Sequence, residues 1–185
     1  MGFARYLQGN HADALRFLEI ARGLIKPTDN WNVNLLSIMG DVYHALNRSK
    51  DSDEAFDKVL ILNPEDEHVL NNYSYYLSLR KERLDKAAIM SKQLIEKFPN
   101  EGTYLDTHAW VLYQQGKYED AFRYLNLAVD DEKSQSSAVW EHHGDALFQL
   151  GRLDEALKSW KKAMTLPNAN QNLDKKIKKK QIVEN

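Results

Sequence analysis

Cysteine is absent from this sequence, and proline and glycine are scarce, with four and eight residues respectively. Without cysteine the chain can have neither a disulfide framework nor a thiolate site. Several of the prolines and glycines stand where helices would turn, which favours an all-helical fold. No apolar run is long enough to span a membrane, and the first residues lack the apolar core of a secretory signal. These absences leave the cellular compartment open.

Composition and charge exclude two broad classes of protein. The 185 residues are 43% apolar and 28% charged, which is too apolar for a disordered chain. The net charge of -2 argues against a protein whose main activity is to coat nucleic acid. We therefore expect a folded protein for which nucleic acid is an unlikely partner.

Signatures of catalysis and metal binding are also missing. The sequence contains no HExxH, no glycine-rich phosphate loop, no GxSxG and no acidic calcium loop. His142 and His143 are adjacent, so on a helix their side chains would point in different directions and could not easily share one ion. Acidic pairs such as Glu119 and Asp120 fall where helices would begin, and there they complement the helix dipole. We expect no enzyme, no metal, no cofactor and no small-molecule substrate.

What the chain does contain is a repeated stretch, seen most clearly in residues 103–129, TYLDTHAWVLYQQGKYEDAFRYLNLAV. Small and large residues alternate there at helical spacing, and Gly116 divides the stretch into two amphipathic halves. The pattern predicts an antiparallel helical hairpin that is too thin to bury both of its faces alone. Such a hairpin needs neighbours of the same kind.

Copies of this hairpin recur at a spacing of about 34 residues. We expect a single domain, 1–185, with a partial repeat in residues 1–28, because the first helix of that copy has only about eight residues. The full repeats and a C-terminal capping helix are then predicted at about 33–66, 67–101, 102–136, 137–170 and 171–183. A chain that begins inside a repeat suggests a fragment of a longer protein, or an unusual edge with Phe3 and Leu7 exposed.

The repeated pattern resembles the tetratricopeptide repeat (TPR) family. That family asks for a bulky residue, Leu-Gly, an aromatic residue, a turn glycine, then small, aromatic and small residues and a closing proline. The last full copy matches best, with Trp140, Gly144, Gly151, Ala156 and Trp160 at the corresponding positions. The resemblance implies an all-α, right-handed solenoid of antiparallel helical hairpins.

Departures from the pattern make local predictions. The turn of the copy at 33–66 lacks glycine, so we expect Asn47 to adopt the positive backbone angle. Ser91 stands where the family has a bulky residue, which implies a thinner core filled by Met90 or Tyr76.

Two histidines, His108 and His143, occupy the position that the family normally gives to leucine. We therefore expect both to be partly buried packing residues.

The last residues carry Leu173, Ile177 and Val183 at helix-like spacing among lysines. A terminal repeat needs a polar outer face, so we expect a capping helix whose lysines face water. The alternative is a nuclear-localisation or nucleic-acid patch formed by Lys175, Lys176, Lys178, Lys179 and Lys180.

The TPR resemblance also implies a binding surface. In that family the first helices of successive repeats line a concave groove, and ligand contacts come mainly from fixed positions on those helices. Carried onto this chain, the resemblance implies contacts from Asn34, Asp41, His44, Asn71, Tyr75, Asp106, Trp110, Tyr113, Glu141, Asp145 and Phe148.

The groove positions contain no lysine or arginine, which disfavours an acidic C-terminal tail as the ligand. Interleaved acids and aromatics suit a segment with basic and apolar side chains. Trp110 favours this interpretation, because a tryptophan is costly to leave on a surface without a partner. The alternative is that these are ordinary solvated polar residues, with aromatics packed between repeats.

The sequence therefore supports a non-enzymatic protein-protein interaction scaffold that binds a protein or peptide partner in its groove. A rival hypothesis is a rigid structural arm of a larger multidomain or membrane-anchored protein, with no groove ligand of its own. A third is self-association through the N-terminal edge.

Overall fold

The computed structural model describes residues 2–26, 31–131 and 136–183, and these ranges contain eleven α-helices and no β-strand. The predicted all-α class is thereby confirmed. No helix in the described ranges is both long and apolar enough to cross a membrane. The helices are α1 (Gly2–Leu7), α2 (His11–Leu24), α3 (Trp31–Ala45), α4 (Ser49–Leu62), α5 (Glu67–Arg80), α6 (Leu84–Lys97), α7 (Gly102–Gln114), α8 (Tyr118–Asp130), α9 (Ser137–Gln149), α10 (Leu153–Met164) and α11 (Leu173–Lys179).

The helices fall into two compact units, the first ending at Tyr76 and the second beginning at Leu77. In the first unit α1 packs on α2 and α3 on α4. In the second unit α7 packs on α8 and α9 on α10. Because only short turns join these helices, each pair is an antiparallel hairpin of the predicted kind.

The turns between hairpin helices use left-handed backbone. Gly9, Gly116 and Gly151 have φ angles of 73°, 76° and 76°. Asn47 takes the same role with a φ of 57°, which confirms the prediction that it replaces a turn glycine. Asparagine tolerates this conformation better than most residues because its short polar side chain can bond locally.

Glycine also allows the two helices of a hairpin to approach closely. A Cβ atom on Gly40 would overlap the wholly buried ring of Phe56. A Cβ atom on Gly144 would in the same way overlap the wholly buried indole of Trp160. These contacts fix the distance between α3 and α4 in the first unit and between α9 and α10 in the second.

The two histidines at leucine positions, predicted to be partly buried, are buried, at 5% and 8% exposed. His108 Nδ1 lies 2.8 Å from Ser91 Oγ, while His143 bonds to Ser159 Oγ at 2.9 Å and to Asn126 Oδ1 at 3.0 Å. Burial lowers the pKa of each histidine to about 4, so both are neutral at neutral pH.

Ser91, which stands where the family has a bulky residue, lies against a residue of the next repeat. His108 from α7 lies within hydrogen-bond distance of the Ser91 hydroxyl, which also donates to the Ala87 carbonyl at 2.8 Å. The polar side chain of His108 therefore replaces the bulky apolar contact that the repeat pattern asks for. That Met90 or Tyr76 fills the thinner core stays a prediction.

Helix α11 is the predicted capping helix. Leu173 is completely buried in a cluster with Trp160, and Ile177 and Ile182 pack against that cluster. The prediction that the lysines of this helix face water was wrong for one of them. Lys176 is only 3% exposed, whereas Lys175 is exposed.

Candidate partner-binding surface

The residues predicted to contact a partner divide between the two units, and each unit is described separately. In the first unit they lie on α3 and α5 and are Asn34, Asp41, His44, Asn71 and Tyr75. In the second unit they lie on α7 and α9 and are Asp106, Trp110, Tyr113, Glu141, Asp145 and Phe148.

In the first unit Asp41 is the centre of a hydrogen-bonded group that we call the Asp41 cluster: Asp41, His68, Asn72 and Tyr76. The carboxylate is 2% exposed. It accepts hydrogen bonds from His68 Nε2 at 2.6 Å, Asn72 Nδ2 at 3.0 Å and the Tyr76 hydroxyl at 3.1 Å. All three donors come from α5, so Asp41 links α3 to the first helix of the next repeat.

The pKa values of His68 and Tyr76 in the Asp41 cluster are both raised, which favours their protonated, hydrogen-bond-donating forms. The hydrogen bond to Asp41 raises the pKa of His68, against the opposing effect of burial. Burial, followed by the nearby charge of Asp41, raises the pKa of the Tyr76 hydroxyl. Tyr76 therefore stays protonated and remains a donor to Asp41 at neutral pH.

The other predicted contact residues of the first unit are more accessible. Asn34 is exposed, and Tyr75 and His44 are half-buried, with the His44 ring stacked on Tyr76 at 3.4 Å. Asn71 donates to Asn72 Oδ1 at 3.1 Å, but its own Oδ1 is buried and has no hydrogen-bond partner among the described residues.

In the second unit Asp106 pairs with a histidine of the next first helix. His142 Nδ1 lies 2.8 Å from Asp106 Oδ1, and both side chains are buried. Burial alone would lower the pKa of His142, but the adjacent carboxylate of Asp106 outweighs it and the pKa is raised. The Asp106 carboxylate therefore favours the protonated form of His142.

Next to this pair lies a group of parallel rings that we call the aromatic stack: Trp110, Tyr113 and His142. The Trp110 indole lies 4.6 Å from the Tyr113 ring and 3.9 Å from the His142 ring, at interplanar angles of 8° and 16°. Two such rings would collide if they shared one face of the indole, so they cover its two faces. Trp110 is consequently half-buried rather than left open on the surface.

The edge of the indole remains without a partner. Trp110 Nε1 is buried and has no hydrogen-bond partner among the described residues. Tyr113, by contrast, accepts a hydrogen bond from Gln149 Nε2 at 3.1 Å through its hydroxyl. The stack thus holds Trp110 in one orientation while its N–H donor is unused.

At the end of the second unit Glu141 and Asp145 surround Lys176 in what we call the lysine pocket. Lys176 Nζ donates to Glu141 Oε1 at 2.7 Å and to both oxygens of Asp145 at 2.8 and 2.7 Å. Asn170 also donates to Glu141, at 3.0 Å, and Trp160 Nε1 donates to Asp145 at 2.9 Å.

The Asp145 carboxylate of the lysine pocket is buried, which makes its negative charge costly. Asp145 is 4% exposed, and desolvation raises its pKa although Lys176 acts in the opposite direction. Phe148 is half-buried beside it, with its ring 5.8 Å from that of Trp160. A carboxylate in such a place needs a cation or a hydrogen-bond donor to remain charged.

The four predicted groove acids are all buried and bonded to another helix of their own unit. The alternative interpretation, in which they are ordinary solvated residues, is therefore wrong for these acids. Prediction from sequence missed their partners, chiefly His68, Asn72, Tyr76, His142 and Lys176. A signal existed in the spacing, since Tyr76 follows Asp41 by 35 positions, His142 follows Asp106 by 36 and Lys176 follows Glu141 by 35. Each spacing is close to one repeat.

Among the described residues, the histidines and acids pair with one another but do not gather into larger groups suited to a metal. In the part of the chain that the structure describes, no group of three or more such side chains could hold a metal ion.

Comparisons with known proteins agree with the helical-hairpin architecture. Residues 80–163 match the family model of the anaphase-promoting complex, cyclosome, subunit 3. Among curated protein sequences, none matches this chain significantly.

Solved structures, among them one described as a TPR protein, resemble the chain over almost its whole length. A thermophilic TPR protein of Thermus thermophilus is 19% identical, with a TM-score of 0.75 over 97% of this chain and 94% of that one. MamA of Desulfovibrio magneticus is 19% identical, with a TM-score of 0.72 over 92% and 93%. The type IV pilus biogenesis factor PilW is 18% identical, with a TM-score of 0.79 over 97% and 82%.

The resemblance to the tetratricopeptide repeat family is thus confirmed, and this chain has the TPR fold. At these identities the structural likeness establishes the fold and not a particular activity. TPR-type folds generally mediate interactions between proteins.

Proposed function

We propose that this chain is a non-enzymatic scaffold that binds a peptide or partner segment with basic and apolar side chains along the first helices of its repeats. The contacts would come from the predicted groove residues of α3, α5, α7 and α9. The described geometry supports a more specific division of roles, in which aromatic edges and amides contact the partner while most of the acids hold the helices together.

The observation that carries this proposal is the unused donor of Trp110. Its indole is fixed between Tyr113 and His142, and its buried Nε1–H has no hydrogen-bond partner among the described residues. A buried donor without an acceptor is unfavourable, so a partner that moves the covering side chains aside and brings a carbonyl oxygen to the indole N–H would relieve a cost that already exists. Because the stack holds the ring in place, little side-chain entropy would be lost on binding.

The lysine pocket supports the basic character of the partner. Glu141 and Asp145 occupy groove positions, and the group that they bind in this structure is an ammonium. The same two acids would repel an acidic peptide tail.

The proposal can be tested by selecting peptides from a random display library against the full chain and measuring their affinity by calorimetry. The substitution Trp110→Phe keeps a flat ring in the stack but removes the N–H donor. We expect it to weaken binding of the selected peptides about three- to tenfold, the effect of one net hydrogen bond. Trp31→Phe is the matched control, because Trp31 is an exposed tryptophan on α3 outside the predicted contacts.

Equal affinity of the Trp110→Phe variant and the unmodified chain would contradict the proposed role of the aromatic stack. A selection that returns no peptide able to bind the folded chain would favour the rival hypothesis of a structural arm.

A further inference from the structure

Helix α11 contacts the rest of the second unit in the way a bound ligand would. Its apolar side is anchored by Leu173, which is completely buried, and by Ile177. Its polar anchor is Lys176, whose ammonium is 5.9 Å from the centre of the Trp160 ring and bonded to two carboxylates. These anchors follow an i, i+3, i+4 arrangement on one side of the helix.

The helix depends on these contacts for its stability. It has seven residues, and isolated helices of fewer than about 12 residues are marginal in water. It ends at Lys179 and is followed by Lys180, which is in the left-handed conformation with a φ of 52°. Two of its exposed polar contacts stay within its own segment, Lys175 with Asn172 at 3.0 Å and Lys178 with Asp174 at 2.8 Å. A few side chains on one side of the helix therefore make much of its contact with the rest of the second unit.

We infer that α11 is an internal ligand which occupies a helix-binding site on α9 and α10, and that a partner helix with the same arrangement replaces it. The partner is an amphipathic helix with a lysine three residues after one apolar residue and one residue before another. This inference rests on the proposed function, because it names the partner class and the regulation of the same surface. Displacement of α11 would open the surface around Glu141, Asp145 and Phe148.

Selectivity follows from the buried charges. Glu141 is 8% exposed and Asp145 is 4% exposed, so removal of Lys176 leaves two carboxylates with little access to water. An apolar helix cannot compensate them, and an acidic helix would add repulsion. An occupant that brings a cation compensates both carboxylates at once, so we expect the lysine of the partner to determine binding.

The test uses a fluorescent peptide with the sequence of residues 171–183 and the full chain, with binding followed by anisotropy. In the variant Lys176→Met the internal helix loses its polar anchor, and we expect the peptide to bind at least tenfold more tightly than to the unmodified chain. Lys175→Met is the matched control and should behave like the unmodified chain. A peptide that carries methionine at the position of Lys176 should not bind any of these proteins.

Equal binding of the lysine and methionine peptides to the folded Lys176→Met variant would overturn the inference, as would no binding of either. If that variant does not fold, amide hydrogen exchange of the unmodified chain replaces it. A millimolar excess of the lysine peptide should then accelerate exchange in Leu173–Lys179, and unchanged exchange would overturn the inference.

Neither arm uses a selected peptide. Displacement of α11 can therefore fail while the proposed scaffold function stands, and it can succeed where the display selection finds no partner.

Discussion

The carboxylates of Asp41 and Asp145 are similarly buried, at 2% and 4% exposed, but the two units neutralise them differently. In the first unit Asp41 is bonded to an imidazole, an amide and a hydroxyl, all on α5. In the second unit Asp145 is bonded to Trp160 Nε1 on α10 and to the ammonium of Lys176, which comes from the seven-residue α11. One cluster uses polar donors from a long helix, and the other uses a full charge from a short one.

This difference assigns the two sites different roles. The Asp41 cluster joins consecutive repeats through donors on α5, so we expect it to be a structural link. The lysine pocket is closed by α11, and the polar contacts described between that helix and the rest of the second unit are those of Lys176 with Glu141 and Asp145. A buried ion pair of this kind is costly to break by removal of one partner, yet it can be exchanged for an equivalent pair.

The largest effect should come from removing the cation of the lysine pocket. We expect Lys176→Met to lower the free energy of unfolding of the second unit by about 3–5 kcal/mol, because two buried carboxylates lose their counter-charge. Urea unfolding followed by circular dichroism measures this. Lys175→Met, on the exposed side of α11, should change stability by less than about 0.5 kcal/mol. Equal effects of the two substitutions would show that the pocket contributes nothing.

A smaller effect is expected in the Asp41 cluster. Asp41→Ala removes one acceptor and leaves the half-buried donors of Asn72 and Tyr76 without it, which should cost about 1–3 kcal/mol. The matched control is Glu54→Ala, an exposed acid on α4 of the same unit. If the Asp41→Ala variant is as stable in urea as the control, the Asp41 cluster does not contribute to stability as a structural link.

The smallest effect should be a difference in pH dependence. The pKa of His68 is raised in the folded state, so its contribution is complete below its unfolded value of 6.5 and is lost as pH rises through the raised value. The stability difference between the unmodified chain and His68→Asn should therefore shrink as pH increases above 6.5. Lys176→Met leaves His68 in place, so the corresponding difference for this variant should not show the change with pH that comes from His68. The measurement is urea unfolding at several pH values. If the stability difference from the unmodified chain changes with pH in the same way for both variants, this distinction is contradicted.

The opposite pH behaviour is expected from the buried neutral histidines. His108 and His143 have pKa values lowered to about 4, so the unfolded chain binds protons more readily than the folded one as pH falls below 6.5. Their contribution to the stability of the second unit is therefore complete above pH 6.5 and is lost towards pH 4. Acid unfolding of this unit would include that loss as well as any change in the lysine pocket.

Much of the fold could be predicted because it follows from local pattern. The positive φ of Asn47 and the burial of His108 and His143 each follow from a residue's place in the repeat. The contact between His108 and Ser91 could not be predicted in this way, because it joins helices of different repeats. The repeat pattern specifies the size of a core side chain but not the polar partner that replaces it.

The binding surface was harder to predict for a related reason. Resemblance to the family marks which positions face the groove, but not whether a neighbouring helix already uses them. Lys176 lies in a run of lysines. Which of these lysines is buried depends on the orientation of α11 about its own axis, and the burial of Leu173 sets that orientation. Its place three residues after an apolar residue, and one repeat after Glu141, was the available signal.

The most direct test of the account is an NMR spectrum of the lysine side-chain ammonium groups of the full chain at neutral pH. We expect the ammonium of Lys176 to exchange slowly with water, because it is buried and bonded to Glu141 and Asp145. The signal should shift or disappear in the Lys176→Arg variant and persist in Lys175→Arg. A spectrum in which the ammonium of Lys176 exchanges as fast as those of exposed lysines would contradict the account, since the lysine pocket would then be open in solution.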